Sequence, residues 1–135
     1  MIWLNPESVA FGTLEIGEVE SVVVDREAVL TAEEFGDAGP FMVFADVPKC
    51  RVRVRVARRV QDPSPNTLRL GEKASLVFTP SRNASSASRL SVIMSNAVVI
   101  SIVHTVARSG ASKQVVEFLA LSSDGAKDPV IEIVK

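Results

Sequence analysis

The sequence is poor in the residues that usually carry chemistry at an active site. Its 135 residues include one cysteine, one histidine and no tyrosine. The lone Cys50 excludes an intrachain disulfide, and no CxxC accompanies it to suggest a redox role; one Cys and one His cannot form a typical zinc site. His104 is the one candidate for moving a proton near neutral pH, but it lies in an apolar strand pattern and no GxSxG elbow occurs. We therefore expect no enzymatic activity, no cofactor and no metal.

Segments that would direct the chain to a membrane or to a nucleotide are also missing. No apolar run approaches the ~20 residues that span a bilayer. The start, Met1–Pro6, lacks the basic region of a secretory signal peptide. Neither GxGxxG nor GxxxxGK[ST] occurs, and the acids do not follow the spacing of a calcium-binding loop. These absences predict a protein of a reducing compartment with no membrane or nucleotide partner.

The sequence is rich in apolar and β-branched residues. Hydrophobic residues make up 47% of the chain, which is enough for a packed core, and 135 residues suit one domain, 1–135. The clearest strand is Cys50–Val60, where valines and arginines alternate and so point to opposite faces. The further strands predicted are Val9–Ile16 with Gly12 as a possible bulge, Val19–Asp25, Phe41–Val47, Leu68–Leu70, Ala74–Thr79, Leu90–Asn96, Ala97–Ala107, Gln114–Ser122 and Val130–Val134.

Many short strands with regular turns predict a mainly β fold, an antiparallel β-sandwich or a partly closed barrel with at most one short helix. The helix is expected at Thr31–Glu34, which has capping-box spacing before Gly36. Pro48 is expected to end the strand before it, because proline removes a ladder donor. Leu90–Asn96 fits both helical and strand spacing, and the β-branched run after it favours a strand. Loops are expected at 61–66 and 80–88, and a hairpin turn at 108–112.

Charge is divided unevenly along the chain. The net charge is −1, but residues 1–46 sum to −9 and residues 47–89 sum to +8. A domain with an acidic third and a basic third can be complementary to a copy of itself, and contacts that run head to tail close into rings or extend as filaments. The division therefore indicates self-association, unless the two segments neutralise each other within one fold.

Arg51, Arg53 and Arg55 form a row with a spacing of about 6.6–6.8 Å, the two-residue repeat of a strand. Three explanations stay open at this point: an intrachain ion-pair ladder with acids between Glu15 and Asp25, pairing between subunits, or binding of nucleic-acid phosphates. A pI of about 5.8 and the absence of interleaved aromatic residues disfavour nucleic acid. The candidate subunit-interface residues are Arg51, Arg53, Arg55, Arg58, Arg59, Glu15, Glu18, Glu20, Glu33 and Glu34.

The C-terminal half contains Phe118, Asp124 and Gly125 followed by Asp128-Pro129, after the apolar run 97–110. This pattern resembles tail-tube and related virion subunits of contractile-tailed phages. The likeness covers about a quarter of the chain, the runs 97–110 and 114–130. In that family a strand ending near Gly-Ala is often followed by Phe-x-Ala-x-Ser-x-Asp-Gly before Asp-Pro. The residues at those places here are Phe118, Ala120, Ser122, Asp124, Gly125, Asp128 and Pro129.

The resemblance implies a β-sandwich or barrel, a hexameric ring, and rings stacked into a hollow tube through which DNA passes without sequence-specific contact. Long segments would reach neighbouring subunits, with 61–66, 80–88 and 26–39 as the candidates. The other partners would be tail proteins such as the sheath, and the location the virion tail, assembled in the host cytoplasm. The alternative is a small phage interaction module, a tail terminator, baseplate or head–tail adaptor, that forms no filament.

Overall fold

The structure, a computed structural model, describes residues 2–60, 68–80, 90–106 and 112–134. These residues form nine strands and no helix, so the mainly β prediction is confirmed. The strands are β1 (Ile2–Leu4), β2 (Ser8–Phe11), β3 (Leu14–Glu15), β4 (Val19–Phe35), β5 (Met42–Val60), β6 (Lys73–Thr79), β7 (Leu90–Val106), β8 (Ser112–Ala120) and β9 (Val130–Val134).

All the strands belong to one antiparallel sheet that is not closed into a barrel. Its order is β1-β4-β5-β8-β7-β6-β2-β3, and β9 pairs with the first part of β7. Strand β7 has two partners on the same side, since Leu90–Met94 pairs with β9 and Ala97–Val106 pairs with β8. The described chain is therefore one unit, in which every strand reaches the others through backbone pairing.

The sheet is folded over on itself, so that strands distant in the sheet order share one core. Trp3 of β1 packs edge-on against Phe78 of β6, with ring centroids 4.9 Å apart. Phe11 of β2 packs against Phe118 of β8 at 5.0 Å. The fully buried side chains that surround these rings include Val22, Val54, Val56, Leu76, Val92, Met94 and Val116. Because alternate side chains of each strand point inward, apolar side chains from the two facing parts of the sheet fill one interior.

The predicted helical turn at Thr31–Glu34 is wrong, because these residues lie within β4. Glu33 is the backbone partner of Ala45, and Glu34 is the partner of Phe44. The capping-box spacing was misleading because no apolar helical face follows it. A turn of this length is not stable alone, whereas pairing with β5 supplies backbone partners along its length.

The prediction that Pro48 ends a strand is wrong, because Met42–Val60 is one continuous strand. The register between β4 and β5 shifts at this point: Leu30 pairs with Lys49, but Ala32 pairs with Asp46. Two residues of β5, Val47 and Pro48, therefore oppose one residue of β4. A bulge of this kind tolerates a proline because the residue there is not needed as a ladder donor.

Two other strand predictions are corrected. Val9–Ile16 is not a single bulged strand: Ala10 pairs with Glu15 and Phe11 with Leu14, so the two residues between them form a tight hairpin turn. Gly12 begins that turn at φ +63°, a conformation that only glycine adopts without strain. Leu68–Leu70 is not a strand, and β6 pairs instead with β2 and β7.

The strand interpretation of Leu90–Asn96 is confirmed, because this segment opens β7. The predicted loop 61–66, almost all of 80–88, and most of the turn 108–112 lie outside the described residues.

Removing a core ring should destabilise the domain strongly. Phe118→Ala deletes a fully buried ring that packs against Phe11, and should lower the free energy of unfolding by about 3–5 kcal/mol. Urea unfolding followed by circular dichroism measures the change. Phe44→Ala, at a ring that is 48% exposed, is the matched control and should change the stability of an isolated chain little. Equal effects of the two substitutions would contradict this placement of the core.

Candidate assembly surfaces

The most unusual feature is a two-stranded arm that extends beyond the rest of the sheet. Strand β1 pairs with β4 only as far as Val23, and β8 pairs with β5 only from Val52 onward. Residues 28–50, which we call the arm, are paired only with each other. All of them are exposed except Gly36, which is partly buried. The arm therefore makes no contribution to the core.

The arm is apolar as well as exposed. Phe41 is 83% exposed, Val43 70% and Phe35 61%. Other large apolar side chains exposed along it are Val29, Leu30, Met42, Phe44 and Val47. A two-stranded ribbon is marginally stable by itself in water, and so many exposed large apolar side chains on one projection are typical of a surface that another molecule covers.

The arm also carries unpaired negative charge. Its acids are Glu33, Glu34, Asp37 and Asp46, against the single base Lys49. The Glu33 carboxylate accepts a hydrogen bond from the Thr31 hydroxyl at 3.4 Å, and Asp46 accepts one from the Val47 amide at 2.8 Å. Within the described residues none of the four acids forms an ion pair. The arm is thus a negatively charged projection whose charge is available to a partner.

The arginine row of β5 lies instead in an intrachain ion-pair ladder on the outer face of the sheet. Glu27 bridges two arginines, with its Oε1 3.0 Å from Arg51 Nε and 3.3 Å from Arg53 Nε. Arg55 lies between carboxylates on both neighbouring strands, 3.7 Å from Asp25 and 3.4 Å from Glu117. Three arginines therefore face three carboxylates, and this part of the ladder has no net charge.

Glu27 is the centre of the ladder. The hydrogen bond from Arg51 lowers the pKa of Glu27 below its ordinary value of 4.5, and the charges of Arg51, Arg53 and Arg55 lower it further. All partners are partly exposed, so each such pair contributes little to stability and is weakened by salt. The ladder sets local register more than it adds stability.

The remaining candidate interface residues lie in different places. Arg59 is 3.4 Å from Glu20, which is also 3.6 Å from Lys113, so these three close the ladder at the end away from the arm. Glu15 and Glu18 form no ion pair among the described residues, and Glu33 and Glu34 lie on the arm.

Arg58 stands apart from the ladder because it forms no ion pair among the described residues. Its backbone partner is the fully buried Gln114, and neither Nε of Arg58 nor Oε1 of Gln114 has a hydrogen-bond partner. The Gln114 amide nitrogen lies 3.5 Å from Nε2 of the exposed His104. The structure pairs Arg51, Arg53, Arg55 and Arg59 with carboxylates of the same chain, whereas the other candidates except Glu20 form no ion pair among the described residues. The role of the candidates between subunits stays a prediction.

The loop between β8 and β9 is fixed by its own hydrogen bonds and joined to the base of the arm by one ion pair. The Asp124 carboxylate accepts hydrogen bonds from the Ala126 amide at 2.9 Å and the Lys127 amide at 3.1 Å, which lower the pKa of Asp124. Asp128 accepts one from the Val130 amide and is 2.9 Å from Arg26 Nε. Burial raises the pKa of Asp128, but these two interactions outweigh it and the pKa is lowered. Residues that carry the family resemblance thus fix this loop in place.

An open pocket of about 340 Å³ separates this loop from the base of the arm. Its walls are Arg26, Cys50 and Arg51 on one side and the loop residues Ser122 and 125–129 on the other, with Val52 and Ala120 at the floor. Lys127 also lines it and has no ion-pair partner in the part of the chain that the structure describes. The pocket is therefore cationic.

The described residues contain no cluster of three or more His, Cys, Asp or Glu that could hold a metal ion. In the same residues there is no helix with the length and apolar character needed to cross a membrane. Comparison with known proteins finds no family model that matches the chain and no similar curated protein. The candidate surfaces in the described residues are the arm, the ladder face and the pocket at the base of the arm.

Sequence reasoning did not identify three carboxylates as ion-pair partners of arginines: Glu27, Glu117 and Asp128. Glu27 lies two residues beyond the range in which ladder partners were sought, because β4 was predicted to end at Asp25. Its alternation with Asp25 on one face of a longer strand was the available signal. Glu117 and Asp128 are separated from their arginines by more than 60 residues, and no local pattern relates them.

Glu27→Gln tests the ladder. A lowered folded-state pKa means that the carboxylate stabilises the fold above its unfolded value near 4.5, and that this stabilisation is lost as pH falls through the lower folded pKa. The variant should therefore unfold at lower urea concentration than the parent at neutral pH, and the difference should vanish in acid and shrink in high salt. Glu7→Gln, which forms no ion pair among the described residues, is the control. A difference independent of pH would contradict the ladder.

Proposed function

We propose that this protein is a self-assembling structural subunit whose arm packs against a neighbouring copy. The exposed apolar arm carries the proposal. Its eight large apolar side chains from Val29 to Val47 face solvent in the single chain. Burying one such side chain contributes about 1.5–3 kcal/mol, so covering several would drive association strongly. A subunit that must meet copies of itself gains from such a projection, whereas a monomer does not.

The charge distribution also supports self-assembly, but through charges other than those of the arginine row. Because Arg51, Arg53 and Arg55 are neutralised within the chain, they are poor candidates for the main contact between subunits. Among the described residues, unpaired charge elsewhere includes the negative charge of the arm and the positive charge of Lys127. Contacts between unlike surfaces run head to tail, and such contacts generate rings or extended stacks.

The particular assembly we propose is the tail tube of a contractile-tailed phage. Its support is the C-terminal resemblance together with a small β domain that carries a long projecting segment. The segment 26–39 that the resemblance assigned to neighbour contacts includes the end of β4 and the turn after it, which form the first half of the arm. In this proposal hexameric rings stack into a tube in the virion tail, the sheath surrounds it, and DNA passes through the lumen without specific contacts. The chain is a structural component, not an enzyme.

Removing two rings from the arm should prevent assembly without unfolding the domain. Phe41→Ser combined with Phe44→Ser should raise the protein concentration needed for assembly by at least about tenfold, since each buried Phe contributes about 1.5–3 kcal/mol. Sedimentation velocity and negative-stain electron microscopy across a concentration series measure assembly. The parent should form rings or tubes with a central hole.

The matched control is Ile2→Ser combined with Leu70→Ser, which removes two side chains of similar exposure outside the arm. It should assemble like the parent. Parent protein that stays monomeric at every concentration would overturn the proposal. A single closed ring that never elongates would favour the adaptor module over the tube.

A further inference from the structure

The cationic pocket at the base of the arm is accessible and built from fixed walls. One wall is the loop that Asp124 and Asp128 hold through backbone hydrogen bonds, and the other is the base of the β4–β5 hairpin. The ion pair between Arg26 and Asp128 joins the two walls across the pocket. A pocket whose walls are braced in this way is preorganised for a ligand.

The charges around the pocket define the ligand it would take. Arg26 is matched by Asp128, and Arg51 by Glu27. Lys127 remains without a carboxylate among the residues that the structure describes. The surplus is therefore one positive charge in a pocket of about 340 Å³, which is enough for one acidic side chain and its neighbours.

The tip of the arm carries acids without cations. Glu34 and Asp37 are exposed and form no ion pair in the described part of the chain. They lie beside Phe35 and Phe41, whose rings are among the most exposed in the chain. An acidic tip flanked by apolar side chains complements a cationic pocket with an apolar floor formed by Val52 and Ala120.

The tip cannot enter the pocket of its own chain. Cys50 of the pocket is the backbone partner of Ala28, and the strand runs seven further residues to Phe35. At about 3.3 Å per residue this separation is roughly 23 Å along a paired ribbon. The tip and the pocket are therefore complementary surfaces held apart on one chain, so that they meet only between chains.

We propose that the pocket between the arm base and the loop at 122–129 receives the acidic arm tip of a second copy of this chain. Lys127 pairs there with a tip carboxylate, Glu34 or Asp37, and the tip rings cover the floor. This inference rests on the proposed self-assembly and names the surface that the arm occupies.

Cys50 offers a direct test, because it is exposed, lines the pocket and is the one cysteine in the chain. Ala38→Cys places a second thiol at the tip and leaves the acids intact. A disulfide requires the two Cα atoms to approach within about 4.4–6.8 Å, which the tip and pocket of one chain cannot do. Mild oxidation should give covalent oligomers joined between position 38 of one copy and Cys50 of another, identified by peptide mass spectrometry.

Two controls keep this test specific. Adding Cys50→Ser to Ala38→Cys should abolish the linkage between tip and pocket. Thr13→Cys, in an exposed turn away from the arm, should not cross-link to Cys50. Linkage only between positions 38, or only between two copies of Cys50, would overturn the proposal, as would no linkage under conditions where the protein assembles.

Charge reversal provides a second test that does not depend on thiols. Lys127→Glu alone, and Glu34→Lys with Asp37→Lys, should each weaken self-association about tenfold at low salt. The three substitutions together restore opposite charges and should recover most of the loss. Lys73→Glu, at an exposed base outside the pocket, is the matched control. Equal weakening by all variants without recovery would contradict a specific tip–pocket contact.

The outcomes separate this inference from the proposed function. Tubes or rings that form normally with Lys127→Glu would leave self-assembly standing and remove the tip–pocket contact. Cross-linking through position 38 and Cys50 in a closed dimer would leave the contact standing and remove the tube.

Discussion

The pairing of β4 with β5 is the interaction on which the rest of the structure depends. Their shared register runs from Val19 opposite Arg58 to Phe35 opposite Met42, much further than either strand pairs with a third. The half beside β1 and β8 contributes Val22, Val24, Val54 and Val56 to the core. The other half is the arm. One hairpin thus anchors a folded domain at one end and presents a surface at the other.

This division explains where the charge of the chain is used. Strand β4 of the acidic first third is paired with the basic part of β5. Much of the opposite charge of these two segments is therefore neutralised across the ladder face. Arg51, Arg53 and Arg55 face Asp25, Glu27 and Glu117 at partly exposed positions, where each pair adds little stability. The charge that remains on the arm and at its base affects encounters between molecules more than folding.

Much of the fold could be predicted from the sequence because alternation is a local signal. Val52, Val54 and Val56 are buried as their spacing predicted, and β9 has the predicted bounds. The arm could not be predicted, because its strands look like short strands and a turn until their pairing is known. Thr31–Glu34 carries a local helix signal that pairing overrides, and Pro48 is tolerated because it lies within a bulge of β5.

The candidate site could be predicted only in part from the sequence. The arginine row was recognised as a row, but whether its partners lay within the chain depended on which strands are neighbours. The pocket joins residues from β4, β5 and the loop before β9, which are distant in sequence. Such a site becomes visible only when the strand order β4-β5-β8 is known.

The register shifts of the arm have a consequence for how copies of the chain can add to one another. Beyond Ala28 the regular pairing is interrupted before Leu30, before Ala32 and before Phe35, and Pro48 lies at one of these shifts. Cross-β stacking requires flat, uninterrupted segments of about six or seven residues. The longest regular run here, Ala32–Glu34, is shorter than that. The arm can therefore be apolar without serving as a template for amyloid, because its backbone discourages the indefinite strand addition that its side chains would otherwise favour.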